Sequence, residues 1–209
     1  MPKKVKAPTR KEEIIKSAAQ LFLERGYSAV TMRDLAKKLG IKAASLYNHI
    51  SSKHEILETL IISVAEAFTV GMNQIVSSEL DTLAKVEQVI HLHIDVTVEN
   101  QDALGSLNND WMHLEGKALP YFEEMRNQYE ENFRQIISTG IAEGTIANRD
   151  PEILLFSVLS TLRTLYLWYP KKDSIDMQTL KDDMTATMLA SIRAWSFGKN
   201  LVFGICGFN

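Results

Sequence analysis

Side chains that can hydrogen-bond to the edges of DNA bases cluster within residues 42–49. Asparagine can pair with adenine through two hydrogen bonds, and a methyl group can contact thymine in the major groove. The candidates for base contacts are Lys42, Ala43, Ser45, Asn48 and His49. For His49 the alternative is a contact to phosphate only, because many protein–DNA hydrogen bonds go to the backbone. This stretch therefore predicts a surface that reads bases.

A second set of side chains around the same stretch is suited to the sugar-phosphate backbone. Hydroxyl, phenol and ammonium groups bind phosphate oxygens and fix the register of a protein on a duplex. We predict backbone contacts from Thr31, Tyr47 and Lys53, and Arg33 is a further candidate for DNA binding. The lysines at the start of the chain, Lys3, Lys4 and Lys6, are expected to touch phosphate as well.

The elements that position these side chains are predicted to be two short helices around a tight turn. Thr31 and Asp34 have the spacing of a capping box, and Gly40 stands where a left-handed residue ends a helix. Leu46 and Ile50 recur four residues apart and should face inward. Two helices crossing at about 90–120° form a helix-turn-helix. The alternative is a helical hairpin with no role in DNA binding.

Charge divides the chain in the same place. Residues 1–53 hold 12 Lys or Arg against 4 Asp or Glu, whereas the other 156 residues hold 11 against 22. A basic module gains affinity for DNA by releasing counterions, and an acidic body disfavours binding in the wrong orientation. We therefore predict a DNA-binding domain over residues 1–53 and a second domain over residues 54–209.

The run IIKSAAQLFLERGYSAVTMRDLAKKLGIKAASLYNHISSKHEIL, residues 14–57, resembles the N-terminal domain of TetR-family transcriptional regulators. It departs from the family pattern at Lys42, Ala44 and Ile50, and the first two leave the base preference open. The resemblance implies a transcriptional regulator, and a repressor in particular, that binds double-stranded operator DNA as a homodimer. It also implies release of the DNA by a small hydrophobic effector that enters a helical body.

The remaining chain has a helical period, with prolines and glycines at the expected helix ends. The fold class is therefore all-α: a three-helix DNA-binding domain followed by a helical ligand-binding and dimerisation domain, with about nine helices in total. A single cysteine, Cys206, excludes an intrachain disulfide and suits a cytoplasmic location. No run approaches the roughly 18–20 apolar residues of a transmembrane span, so we expect no membrane partner.

Two apolar helices near the end of the chain are predicted to form the dimer interface. Residues 153–166 are apolar over a broad arc, and residues 180–195 carry an apolar stripe. A helix that is apolar over so wide an arc needs covering on two sides, although a core role is possible for each residue. The interface candidates are Phe156, Leu162, Met184, Met188, Ile192 and Trp195.

Aromatic and methionine residues cluster between residues 111 and 129 and offer material for a ligand pocket, although such residues are more often ordinary core. Residues 119–146 and 156–189 are similar to the body of TetR-type regulators that respond to acyl-coenzyme A thioesters. Cations at the mouth of such a pocket could come from Lys117, Arg126, Arg134 or Arg163, unless each pairs with a helix neighbour such as Glu130. The ligand-binding candidates are Trp111, Met112, Leu114, Tyr121, Phe122, Met125, Tyr129, Leu159 and Arg163.

Two alternatives to an acyl-coenzyme A regulator remain at this point. One is a regulator of an efflux pump that responds to drug-like amphiphiles. The other is a small metal-dependent enzyme, for which His91 and His93 are the nearest candidates. Residues two apart point to different faces of a helix, and no HExxH, GxSxG or phosphate-loop motif accompanies them. We therefore expect no metal, no cofactor and no enzymatic activity.

Overall fold

The computed structural model describes residues 7–194 and is helical throughout. The sequence predicts about nine helices, and the described residues hold nine when Pro151–Arg163 and Leu165–Trp168, which only Thr164 separates, are counted as one. Their only β-type pairing is one isolated antiparallel bridge between Ile146 and Arg193. The helices are α1 Arg10–Arg25, α2 Met32–Lys38, α3 Ala43–Leu46, α4 Lys53–Ser77, α5 Thr82–Glu99, α6 Gln101–Asn109, α7 Ala118–Ala142, α8 Pro151–Arg163, α9 Leu165–Trp168 and α10 Met177–Ile192, with 3₁₀ turns at Trp111–His113 and Tyr169–Lys171.

Local sequence signals set the helix boundaries of the first 50 residues. The expected capping box of Thr31 and Asp34 forms before α2, and Thr9 and Glu12 form another before α1. Gly40 follows α2 with a φ of 66°, a left-handed conformation that glycine adopts without a Cβ penalty. The chain can therefore turn at once from α2 into α3.

The core of the first three helices extends into the body. Ile14, Phe22, Leu35 and Leu46 are buried in it, and the ring of Tyr27 meets that of Phe22 edge-on at 5.2 Å. The same cluster includes residues of α4, α6 and α7. The division at residue 53, which falls at the start of α4, stays a prediction, because this core is continuous across it.

A second core lies between α4, α5, α7, α8 and α10 and is centred on fully buried residues such as Phe133 and Ile137. Helix α4 is continuous through Gly71. A Cβ atom at this position would lie 2.4 Å from Leu92 Cδ1. A larger residue here would therefore require the Leu92 side chain of α5 to move.

Within residues 7–194, two helical segments are long and apolar enough to qualify as membrane spans, Lys53–Ser77 and Pro151–Lys171. No such segment was expected from the sequence. Each segment buries part of its apolar surface within the body, since Ile56, Ile61 and Met72 of α4 and Leu159 and Leu162 of α8 are core residues. The core helix of a soluble protein passes the same test, so length and composition alone are weak evidence for a span.

Candidate DNA-binding surface and ligand cavity

The predicted base-reading residues lie on one face of the region around α3. Lys42, Ser45, Asn48 and His49 are exposed, and Ala43 is partly buried. Leu46 and Ile50 face inward with at most 1% of their surface exposed. Backbone hydrogen bonds from His49 N and Ile50 N to Leu46 O continue the helical turn beyond α3. Four of the five candidates are therefore exposed on and just after α3, whereas Ala43 packs partly against the core.

The candidates for phosphate contact differ in exposure and in the hydrogen bonds that they already make within the protein. Arg33 and Tyr47 are exposed, with 54% of Tyr47 accessible. The Thr31 hydroxyl accepts from Asp34 N at 3.2 Å and donates to Asp34 Oδ2 at 2.5 Å. These hydrogen bonds lower the pKa of Asp34. A phosphate contact by Thr31 stays a prediction, and its hydroxyl already serves the cap of α2.

Lys53 has a structural role that the sequence did not indicate. Its Nζ atom donates to the backbone oxygens of Tyr27 and Val30, both at 2.9 Å, and lies 4.1 Å from the centroid of the Tyr27 ring. Burial lowers the pKa of this ammonium group. Lys53 therefore ties the start of α4 to the loop between α1 and α2, and at most one of its three N–H groups remains for a phosphate.

A cavity of about 170 Å³ lies inside the body. Its walls come from five helices, α4 to α8, and from the Trp111–His113 turn. Most of the wall is apolar or aromatic, and the exceptions are a few polar groups and two arginines. The lining residues are Ala65, Phe68, Thr69, His93, Thr97, Leu104, Leu107, Asn108, Trp111, Phe122, Met125, Arg126, Tyr129, Leu162 and Arg163.

The polar centre of the cavity wall is a pair formed by His93 and Tyr129. Tyr129 Oη lies 2.8 Å from His93 Nε2, and both side chains are buried. Burial lowers the pKa of His93 to about 3 and raises that of Tyr129. The Phe68 ring packs 4.7 Å from the imidazole. At neutral pH the pair therefore consists of a neutral imidazole and a protonated phenol.

The two arginines of the cavity have different partners. Arg163 Nη2 donates to Glu130 Oε1 at 2.5 Å, so its charge is paired. Arg126 stacks on Trp111, with Cζ 4.7 Å from the ring centroid, and forms no ion pair with residues 7–194. Glu130, expected as a helix partner of Arg126, binds Arg163 instead. The unpaired cation at the cavity is therefore Arg126.

Five of the nine predicted ligand-binding residues line the cavity: Trp111, Phe122, Met125, Tyr129 and Arg163. The other four do not. Met112 is 61% exposed, Tyr121 faces outward and donates to Glu66 at 3.2 Å, and Leu114 and Leu159 are buried in the two cores. Among the proposed mouth cations, Arg134 pairs with Glu131 and Glu152, and Lys117 is exposed outside the cavity.

Several lining residues were missed, mainly Phe68, His93, Thr97 and Asn108. A usable signal was present on α5, where His93 and Thr97 lie four residues apart and therefore on one helix face. Both are buried among apolar neighbours. A polar pair on an otherwise apolar helix face needs partners, which a cavity or a buried hydrogen bond can supply.

The interface candidates divide into exposed and buried residues. Phe156 is 70% exposed, and Ile153 beside it is 62% exposed. Leu162, Met188 and Ile192 are at most 6% exposed in the single chain, because they pack into the core formed with α5 and α7. These three are therefore core residues with little surface left for a partner. Met184 is partly buried, and Trp195 lies outside the described residues.

The Trp111–His113 turn connects the cavity with the DNA-binding helices. Trp111 lines the cavity, whereas the His113 ring lies 5.2 Å from the Tyr27 ring and its Nε2 lies 3.4 Å from Ser28 Oγ. Tyr27 Oη in turn lies 3.0 Å from His54 Nδ1 on α4. Trp111 and His113 lie on the same short turn. A displacement of Trp111 can therefore be transmitted through His113 to the loop between α1 and α2.

No group of three or more His, Cys, Asp or Glu residues within 7–194 is arranged to hold a metal ion. His91 lies 3.9 Å from Glu87 on the same helix, and His93 is bonded to Tyr129. The two histidines therefore have separate surroundings.

Comparison with known proteins matches two family descriptions to this chain. Residues 14–60 match "Bacterial regulatory proteins, tetR family", and residues 79–192 match "Tetracyclin repressor-like, C-terminal domain". The second match alone covers more than half of the chain. Both parts of the chain, the head that holds α1 to α3 and the body that holds the later helices, are therefore recognised. They belong to the same kind of protein.

Individual relatives are similar over most of their length. The chain is 25% identical to the HTH-type transcriptional repressor KstR2 of Rhodococcus jostii over 86% of this chain and 89% of the relative. It is 31% identical to the nucleoid occlusion factor SlmA of Vibrio campbellii over 74% of this chain and 80% of that protein. The similarity therefore extends well beyond the DNA-binding region.

Solved structures share the fold. The ketosteroid transcriptional regulator KstR2 of Mycobacterium tuberculosis has a TM-score of 0.82, with 23% identity over 90% of this chain and 97% of that one. AibR, solved in complex with isovaleryl coenzyme A and operator DNA, has a TM-score of 0.71, with 19% identity over 86% of this chain and 97% of that one.

Proposed function

The chain belongs to the TetR family of DNA-binding transcriptional regulators, and we propose that it is a homodimeric repressor released from its operator by an acyl-coenzyme A thioester. The observation that supports the proposal is the cavity in the body. Trp111, which lines it, lies on the same turn as His113, and His113 contacts Tyr27 of the DNA-binding helices. A regulator of this kind acts where the chromosome is, so we expect it in the cytoplasm.

The exposed face around α3 is proposed to enter the major groove. Asn48 and Ser45 would face base edges, with Arg33 and Tyr47 on the flanking phosphates. The face is exposed and its opposite side is locked by Leu46 and Ile50, so these side chains can meet DNA without rearrangement of the head. Fixed positions of this kind favour direct readout of the groove.

The apolar face of α8 around Ile153 and Phe156 is proposed to pack on the same face of a second copy. Large exposed apolar patches usually mark interaction sites, and a twofold axis places identical patches against each other. Two recognition helices related by that axis reach successive major grooves about 34–36 Å apart. The operator should therefore be a palindrome.

The proposed effector class follows from the size and charge of the cavity. A volume of about 170 Å³ is smaller than a drug-sized pocket and suits a short acyl group. Arg126 supplies an unpaired positive charge on the wall, which suits the anionic coenzyme A that would extend from it. AibR, which has the same fold, binds isovaleryl coenzyme A. A cationic drug would meet repulsion from Arg126.

Effector binding is proposed to act on DNA through the Trp111–His113 turn. An acyl group that displaces Trp111 would move His113 against Tyr27 and Ser28, and so change the angle of the head. The effector must bind the DNA-incompetent arrangement more tightly, and DNA must weaken effector binding by the same factor.

The test begins with a gel shift on a palindromic fragment from the protein's own promoter. We expect the purified protein to bind the palindrome, and hexanoyl coenzyme A to release it. Ethidium, an aromatic cation, serves as the probe for the efflux alternative. Release by ethidium and by no thioester would replace the proposed effector class with drug-like amphiphiles.

The coupling is tested with His113→Ala against Met112→Ala, an exposed neighbour on the same turn. His113→Ala should bind operator and hexanoyl coenzyme A but lose most of the release of one by the other. Met112→Ala should behave as the wild type. Full release in His113→Ala would show that the signal takes another route.

A further inference from the structure

The cavity wall carries polar groups that a purely hydrocarbon ligand would leave without a partner. Thr97 is 3% exposed, lines the cavity, and its hydroxyl has no hydrogen-bond partner among the described residues. One helical turn away on α5, His93 is bonded to Tyr129 Oη. Three polar side chains from α5 and α7 therefore lie on the same enclosed surface.

The His93–Tyr129 pair has hydrogen-bonding capacity left over in either tautomer. When Tyr129 donates its proton to His93 Nε2, the phenol oxygen keeps a lone pair that can accept from a hydroxyl. When Nε2–H donates to the phenol oxygen, the Tyr129 O–H is free to donate to a carbonyl. The pair can therefore serve either kind of oxygen, because the imidazole switches tautomer.

Burial makes this capacity selective. A polar group that loses its hydrogen bonds to water costs free energy unless the ligand replaces them. A site built to hydrogen-bond an oxygen therefore rejects the analogue without it far more strongly than an apolar pocket rejects an extra methylene. Thr97 would pay this cost against a plain alkyl chain, whereas Tyr129 would keep its hydrogen bond to His93 and leave only its remaining capacity unused.

The size of the cavity determines which part of the ligand meets these groups. A volume of about 170 Å³ is below the several hundred Å³ of a drug-sized pocket, so only the acyl portion of a coenzyme A thioester would lie within it. Phe122 and Tyr129 are seven residues apart on α7, which is about 10 Å along the helix. An acyl chain of about six carbons is the appropriate probe for this length.

We propose that the cavity selects acyl groups carrying a keto or hydroxyl oxygen, and that Tyr129 and Thr97 bind this oxygen while His93 orients Tyr129. The inference rests on the proposed effector cavity and adds the chemistry of its ligand. Chains of hydrocarbon alone become poor effectors, so the regulator would respond to partly oxidised acyl groups.

The test is calorimetric titration of the full chain with hexanoyl, 3-oxohexanoyl and 5-oxohexanoyl coenzyme A. At least one oxo compound should bind about 10-fold more tightly than hexanoyl coenzyme A, as one satisfied buried hydrogen bond predicts. In Tyr129→Phe and Thr97→Val this preference should shrink to about 2-fold or less. Thr97→Val replaces a side chain that has no hydrogen-bond partner with one of the same shape. This variant should therefore fold even if Tyr129→Phe does not.

The matched control is Tyr121→Phe, which removes the same hydroxyl from an exposed tyrosine on the same helix. It should retain the full preference. Equal binding of all three thioesters by the wild type would overturn the inference and leave the proposed effector class intact.

A second probe pair separates the two proposals if no thioester binds. 2-Hexanone and 2-methyl-1-hexene have the same shape and differ in the oxygen alone. Preference for the ketone in the wild type, lost in Thr97→Val, would support oxygen recognition while rejecting coenzyme A thioesters. Equal binding of this pair, or binding of neither compound, would overturn the oxygen recognition as well.

Discussion

The DNA-binding face and the cavity are built in different ways. The candidates for DNA contact come from residues 31–53, and most of them are exposed and have few partners. The cavity wall comes from five helices spread over residues 65–163, and its central polar pair, His93 and Tyr129, is buried and hydrogen-bonded. Substitutions on the face should therefore change binding with little loss of stability, whereas substitutions in the cavity should change both.

The largest expected effect concerns Phe156 on the outer surface of the body. It tests whether dimerisation through this surface determines the operator affinity of the head. Phe156→Glu places two like charges near each other across the proposed twofold contact. We expect monomers, and about a 100-fold loss of operator affinity because two linked recognition helices bind far better than one. Sedimentation and a gel shift would measure both.

Val98→Glu is the control for this substitution, since Val98 is an exposed apolar residue on α5. It should leave the dimer and the operator affinity unchanged. A dimeric Phe156→Glu would place the interface elsewhere.

The next effect is a pH dependence of stability, which we expect from a histidine buried in the interior of the body. The pKa of His93 is lowered from 6.5 to about 3, so the folded protein keeps this imidazole neutral. Below about pH 6.5 this imidazole is protonated in the unfolded chain but stays neutral in the native state. The free energy of unfolding therefore falls as the pH decreases. By pH 5 the loss should be about 2 kcal/mol, as 1.36 kcal/mol per pH unit predicts.

Urea unfolding at pH 7, 6 and 5 would measure this loss, and His93→Gln should remove most of it. His91→Gln, on the same helix but partly exposed, is the control and should retain the wild-type pH dependence. The same slope in all three proteins would contradict a neutral buried His93.

On the head, Asn48→Ala and Arg33→Ala should separate base reading from phosphate binding. Asn48→Ala should cost about 1.5 kcal/mol of discrimination at the base pair it reads. Arg33→Ala should weaken binding to all sequences and lower the salt slope by about 1. Titrations of operator and mismatched DNA at several salt concentrations would show both, and unchanged base preference in Asn48→Ala would remove it from the reading surface.

The smallest expected effect concerns Lys53, a predicted phosphate contact that also bonds the loop between α1 and α2. Lys53→Met removes two hydrogen bonds to the backbone of Tyr27 and Val30, so we expect a loss of about 1 kcal/mol in stability. Thermal unfolding would detect it. A full drop of about 1 in the salt slope without loss of stability would instead assign Lys53 to phosphate.

The head could be predicted closely because its signals are local. Thr9, Thr31 and Gly40 specify helix ends within a few residues of themselves, and Leu46 and Ile50 identify the inner face of α3 by spacing alone. The contacts that the sequence did not indicate involve residues whose partners are distant in sequence. Lys53 bonds residues 23 and 26 positions away, which no local pattern indicates.

The sequence predicted that the body is helical, but it identified only some of the residues that line the cavity or remain exposed. Leu162 and Phe156 lie on the same apolar helix, but one is buried in its own subunit and the other is 70% exposed. Sequence periodicity identifies an apolar arc without telling which part of it the rest of the chain covers. Similarly, Met112 and Trp111 are adjacent, and only Trp111 reaches the cavity.

The sequence by itself determined the helical fold, the family, the caps and the exposed face proposed to meet DNA, because each depends on residues within a turn or two of each other. Only the tertiary structure decided that Glu130 pairs with Arg163 and leaves Arg126 unpaired, and that Tyr129 bonds His93 across 36 residues. A cavity is the space left between packed helices, so its chemistry depends on which faces meet, and that is fixed by packing of the whole chain.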